Sequence, residues 1–127
     1  MFDKFFPDRY VASTYVIDFE GLYKEGVRGL IFDIDNTLVP HGAPADERAR
    51  ALFKRLKSIG FRCCLISNNQ KPRVEMFNKD IQVDYVYNAH KPSIRNYLKA
   101  MEIMGTDRDS TVFIGDQLFT DVWGAKR

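Results

Sequence analysis

Cysteine is scarce in this chain: its 127 residues include two, Cys63 and Cys64, adjacent in an apolar run. Neighbours on a strand face opposite ways, so these two are badly placed to pair, and nothing around them has metal-ligand spacing. A reducing, cytoplasmic setting is the expectation. Long apolar runs are also missing. No stretch approaches the ~20 residues that span a bilayer, and no signal-peptide pattern is present. Charge of one sign is missing too: 19 Lys and Arg against 17 Asp and Glu leave a net +2. Without a long basic block, a nucleic-acid partner is not expected. There is no internal repeat, low-complexity tract or long linker. What remains is 45% apolar and 28% charged residues, the make-up of one globular domain over 1–127 with a core of its own.

The apolar pattern alternates between strand-like and helix-like. Residues 1–26 are rich in aromatics, with Asp18 able to cap a short helix ending near Gly26. Arg28 to Asp33 reads as a first strand. Ala49, Leu52, Phe53, Leu56 and Ile59 keep helical spacing until Gly60. Phe61 to Ser67 reads as a strand covered on both faces, and Pro72 opens a helix to about Lys79. Val83 to Tyr87 is a third strand. Pro92 starts a helix with Ile94, Tyr97, Leu98 and Met101 on one face. Thr111 to Gly115 is a fourth strand, and Thr120-Asp121 begins another helix. This order predicts an α/β fold, a Rossmann-like three-layer sandwich with a parallel sheet and right-handed crossovers. Ligands of such sheets bind beyond the carboxyl ends of the strands.

Four segments fall at those ends. Leu30-Ile31-Phe32-Asp33-Ile34-Asp35-Asn36-Thr37 leads an apolar strand into two carboxylates spaced to face one way. Buried acids in a pair are costly unless a cation or chemistry needs them. Asp33 is the candidate nucleophile and Asp35 the candidate general acid and base. Ser67-Asn68-Asn69 offers a hydroxyl and turn N–H groups to phosphate oxygens, although alone it also reads as a loop and helix cap. Lys91, before Pro92, would balance phosphoryl charge, or be an ordinary surface lysine. In Gly115-Asp116-Gln117-Leu118-Phe119-Thr120-Asp121, Asp116 could join Asp33 on a magnesium ion. Asp121 would support that site or pair with Lys91, or simply favour a helix start. Thr37 completes the first segment as a supporting residue.

Together these residues resemble the haloacid dehalogenase (HAD) superfamily, whose four motifs are matched in order by Asp33 to Thr37, Ser67, Lys91, and Gly115-Asp116 with Asp121. The resemblance implies a Mg2+-dependent phosphate monoester hydrolase with a phosphoaspartate intermediate, and a metal ligand from the main-chain carbonyl of Asp35. The segments Phe-Phe-Pro-Asp-Arg-Tyr-Val, Ser-Asn-Asn and Gly-Asp-Gln-Leu-Phe-Thr-Asp-Val look like the bacterial YqeG branch, subclass IIIA. That branch is similar to phosphatidylglycerophosphate phosphatases, which implies a lipid head group as substrate.

The gaps between motifs hold no inserted lid, so a capless core with an uncovered site is expected. It suits a bulky substrate or one presented at a surface. Phe2, Phe5 and Phe6 would dock at a membrane interface as a peripheral contact, or cover the sheet or a subunit contact. The family pattern runs to a further strand, so the core is expected to be truncated before it, leaving the edge of the fourth strand open. Two rival functions share the same residues: a phosphatase for soluble metabolites or nucleic-acid ends, and a non-catalytic phospho-acceptor domain of response-regulator type. Asp35 speaks against the latter, which normally lacks the second acid.

Overall fold

The computed structural model describes residues 14–87, 94–115 and 119–121. Local sequence sets the elements. Asp18 accepts from the Gly21 N–H and opens α1, Phe19–Lys24. Asp46 accepts from the Ala49 N–H at 2.8 Å and opens α2, Glu47–Ile59. Gly60 ends α2 at φ 122°, and a Cβ there would lie 2.8 Å from the Tyr23 hydroxyl oxygen, so both conformation and space require glycine. The remaining helices are α3, Lys71–Asn78, with proline in its first turn, and α4, Ile94–Met104.

The strands are β1 Gly29–Asp33, β2 Arg62–Ile66, β3 Asp84–Val86, β4 Thr111–Ile114 and β5 Phe119–Asp121. They form one sheet in the order β3-β2-β1-β4-β5. The first four are parallel, and β5 runs antiparallel beside β4. Alternate residues feed two cores. Leu30, Phe32, Leu65, Val112 and Ile114 pack with α1, α2 and α3 on one face. Ile31, Cys64 and Ile66 pack with Ala100, Met101 and Met104 of α4 on the other. Cys63 leans on the first core and Cys64 lies in the second, as strand neighbours must. The result is the three-layer Rossmann-like α/β fold anticipated from the pattern.

Two details of the sequence reading are corrected. Thr120 and Asp121 lie in a strand, not a helix: the outer edge of β4 offers unpaired N–H and C=O groups, and β5 satisfies them. The edge of β4 expected to be open is therefore paired. The buried stripe of α4 is also rotated from the one drawn. Tyr97, Ala100, Met101 and Met104 face the sheet, whereas Ile94 and Leu98 are 45% and 49% exposed. At 100° per residue those two sit on the next ridge of the helix. The aromatic residues at the amino terminus, Phe2, Phe5 and Phe6, lie outside the described residues.

Candidate active site

Strand order places the site. β1 is flanked by β2, reached through α2 on one face, and by β4, which follows α4 on the other. The crossover direction reverses at β1, and the carboxyl ends there flank the crevice where open α/β sheets take ligands. Asp33 closes β1 opposite Ile66 of β2. It follows Ile31 on the α4 side, and its charge is felt by Tyr97. Burial, and then Asp33, push the Tyr97 hydroxyl's pKa up. Tyr97 is held there by its ring contact with Phe113, centroids 5.2 Å apart.

Beyond Asp33 the chain leaves the strand. Asn36 takes a left-handed φ of 63°, and its N–H donates to the Val39 carbonyl at 2.7 Å. The N–H groups of Thr37 and Leu38 both donate to the Ile34 carbonyl. Among non-glycine residues asparagine tolerates this conformation best. The tight loop buries Ile34, Leu38 and Val39 in the core, and Thr37 with them.

The bend turns Asp35 toward α3. Its Oδ1 accepts from the Gly42 N–H at 2.7 Å and from Arg73 Nη2 at 2.7 Å, and its Oδ2 accepts from Asn69 Nδ2 at 3.1 Å. His41 Nδ1 is 3.9 Å from the same Oδ1. Burial pushes this carboxyl up. The Arg73 and Gly42 hydrogen bonds, with the charges of Arg73 and His41, nevertheless hold it below the ordinary carboxylate range. Two positions of extended chain do not explain this placement, because β1 ends at Asp33 and the loop orients Asp35.

Ser67 leaves β2 almost fully buried, its N–H donating to Val86. Its hydroxyl oxygen accepts from the Asn69 N–H at 3.0 Å, which shapes the loop before α3. Asp33, the last residue of β1, and Asp35, Thr37, Ser67 and Asn68, in the segments that follow β1 and β2, thus all lie at the carboxyl ends of these two strands. Lys91 and Asp116 lie outside the described residues, as does the side chain of Asp121. The main chain of Asp121 pairs with Val112, set back from the carboxyl end of β4.

Sequence reasoning missed Arg73. Its side chain is 12% exposed and ion-paired to Asp35, while its Nε and Nη1 are buried with no hydrogen-bond partner among the described residues. A signal was available: α3 has no acid in its first turn, yet Lys71 and Arg73 sit there, where the dipole disfavours cations. Such a cation needs a partner elsewhere.

The donor chemistry suits a hard cation. Asp33 brings a carboxylate and Asp35 a main-chain carbonyl, and Thr37 Oγ1 is buried without a hydrogen-bond partner among the described residues. No group of three or more His, Cys, Asp or Glu side chains gathers among the described residues, so protein ligands there would have to be completed from beyond them.

A Rossmann-like sheet with an acidic strand end at its switch point defines the class. Comparison with known proteins narrows it. A family model described as haloacid dehalogenase-like hydrolase matches residues 42–127, a span that begins after Asp33 and Asp35. "Probable phosphatase YqeG" of Bacillus subtilis (strain 168) is 37% identical over 129 residues, covering 100% of this chain and 75% of the relative. The solved structure of a "putative HAD family hydrolase" from Streptomyces avermitilis MA-4680 superposes with a TM-score of 0.55 at 12% identity. That match covers 70% of this chain and 60% of the solved one, so the chain spans less than two thirds of that neighbour's length. The chain belongs to the haloacid dehalogenase-like hydrolases.

Proposed function

We propose that this hydrolase is a Mg2+-dependent phosphatase that cleaves phosphate monoesters through an aspartyl-phosphate on Asp33. The observation that carries the reading is the join of Asp33, at the carboxyl end of the central strand, to the loop that holds Asp35 beside Ser67-Asn68-Asn69. The 37% identical relative named a probable phosphatase supports the same class.

A carboxylate oxygen of Asp33 attacks phosphorus, and the bond from phosphorus to the alcohol oxygen breaks. Asp35, ionised in this arrangement, first takes up a proton from water against the pull of Arg73 and the Gly42 N–H and gives it to that oxygen. Then, as a carboxylate, it takes one from the water that hydrolyses the acyl phosphate. The Ser67 hydroxyl and the N–H of Asn68 would bind phosphoryl oxygens, and Lys91 would balance their charge. Asp33, the carbonyl of Asp35 and Asp116 would hold Mg2+. When bound, the ion offsets the repulsion between two anions. Thr37 supports the loop, and Asp121, given its register, is the more remote of the two supporting residues.

The substrate we propose is a phosphorylated lipid head group such as phosphatidylglycerophosphate, met as a peripheral contact at the membrane from the cytoplasmic side. Support comes from the absence of an inserted lid between Asp33 and Ser67, where only the loop, α2 and β2 intervene. No helix of the described residues is long and apolar enough to cross a membrane. The test is a p-nitrophenyl phosphate assay with Mg2+, followed by phosphatidylglycerophosphate in mixed micelles. Turnover by the parent that vanishes in Asp33→Asn is the expected result. Undiminished turnover in Asp33→Asn would exclude it as nucleophile.

A further inference from the structure

We propose that Arg73 reads a second anionic group on the substrate, in the part of the molecule that leaves as the alcohol; this deepens the phosphatase reading and rests on it. A guanidinium carries five N–H donors in a rigid fork. Here one nitrogen, Nη2, is spent on Asp35 Oδ1 at 2.7 Å, and the other Asp35 oxygen is taken by Asn69. The ion pair is therefore single-pronged. Nε and Nη1 are buried and meet no acceptor among the described residues. An unmet buried donor costs roughly 1–3 kcal/mol, more when charged, so two of them on one cation favour an acceptor that arrives from outside. It reaches them once the side chains that now seal both nitrogens from solvent part.

Location says which part of a substrate that acceptor belongs to. Asp35 is the group that protonates the leaving oxygen, so whatever lies against Asp35 faces the alcohol rather than the phosphoryl group being transferred. Asp35 fixes Arg73 on that side, and the Gly42 N–H and Asn69 fix Asp35 in turn. α3 supplies the cation from its first turn, where its N–H groups add to the pull on an anion. The chemistry selected is a phosphate monoester whose alcohol carries another anion a short distance away. A phosphodiester-linked head group and a soluble polyol bisphosphate both meet that description.

The experiment compares the protein with Arg73→Gln and Arg73→Lys on three alkyl esters: glycerol phosphate, glycerol bisphosphate, and phosphatidylglycerophosphate in mixed micelles. The parent should favour the two esters with a second anion. In Arg73→Gln the ratio of their kcat/KM to that of glycerol phosphate, an alkyl ester that needs the same protonation but has no second anion, should fall roughly 10- to 100-fold, the range of a charge-assisted hydrogen bond, mainly through KM. Arg73→Lys should fall between, since a point charge keeps attraction without the fork. Loss on both two-anion esters marks the anion alone as the recognised feature. Loss confined to the micellar lipid marks the head group at a surface, and either supports the assignment. A ratio unchanged in Arg73→Gln overturns it while leaving the phosphatase reading intact. If the Gln variant does not fold, a parent without preference for a second anion overturns it equally. A parent that turns over none of the three esters overturns both readings.

Discussion

The hydroxyl of Tyr15 donates to the carbonyl of Leu38 at 2.7 Å, a tie across 23 residues. Leu38 belongs to the loop that orients Asp35, and the Tyr15 ring is covered by the Arg48 guanidinium, 4.1 Å from its centroid. The residues before α1 therefore brace the site loop from behind.

Tyr15→Phe keeps the ring and removes that donor. It should lower the unfolding free energy by about 1 kcal/mol, the net worth of one such bond, and urea denaturation would measure it. A loss under about 0.3 kcal/mol would mean that water replaces the hydroxyl at no cost.

The two ridges of α4 should respond differently to truncation. Met104 is fully buried in the second core, and Met104→Ala should cost about 2–5 kcal/mol by leaving a cavity. Leu98, half exposed, should cost within about 0.5 kcal/mol of nothing beyond helix propensity when changed to Ala. Thermal melts of the two variants give the comparison directly.

Burial pushes the thiols of Cys63 and Cys64 up to about 12, with each also raised by a nearby anion or anionic partner, Cys64 for Cys63 and Asp84 for Cys64. Iodoacetamide at pH 7–8 should label the native protein slowly and the urea-unfolded protein fast. The linkage has a definite sign. The unfolded chain gives up these protons near 9.0 and the folded one near 12, so the contribution to stability is complete below pH 9 and declines as pH rises toward 12. Replacing both with Ala or Ser should flatten that alkaline decline.

Chelation by EDTA should stop turnover and added Mg2+ should restore it, whereas Ca2+, larger and looser in geometry, should restore less. Asp35→Asn should lower kcat about 10²–10⁴-fold, the usual worth of general acid–base help. The loss should be smaller on p-nitrophenyl phosphate, whose leaving group needs little protonation.

Much of the architecture was legible from short stretches. The run from Leu30 to Phe32 feeds both cores by alternation, and Leu52, Phe53 and Leu56 mark the buried side of α2. Asp18, Asp46 and Gly60 announce helix ends because capping is a local matter. Other features were not local. Which ridge of α4 faces the sheet depends on where β1 and β2 lie beneath it, and Ile94 is as apolar as its buried neighbours. β5 answers an unpaired edge supplied by another segment. In the site, the acids and Ser67 stood out through their place after apolar strands. Arg73 did not, since its partner lies 38 residues away and only the weak clue of a cation in a helix's first turn pointed to it.

β1 is bonded on both sides and sealed on both faces. Its amides should exchange with deuterium only on global unfolding, whereas those at the exposed far end of the site loop, His41 and Gly42, should open locally. On the proposed mechanism the attacking carboxylate is thus mounted on a sealed central strand, and its partner acid on the loop beyond it. If the proposed roles hold, redesign of the exposed end of the loop and of α3's first turn should alter what is hydrolysed while leaving Asp33 where it stands.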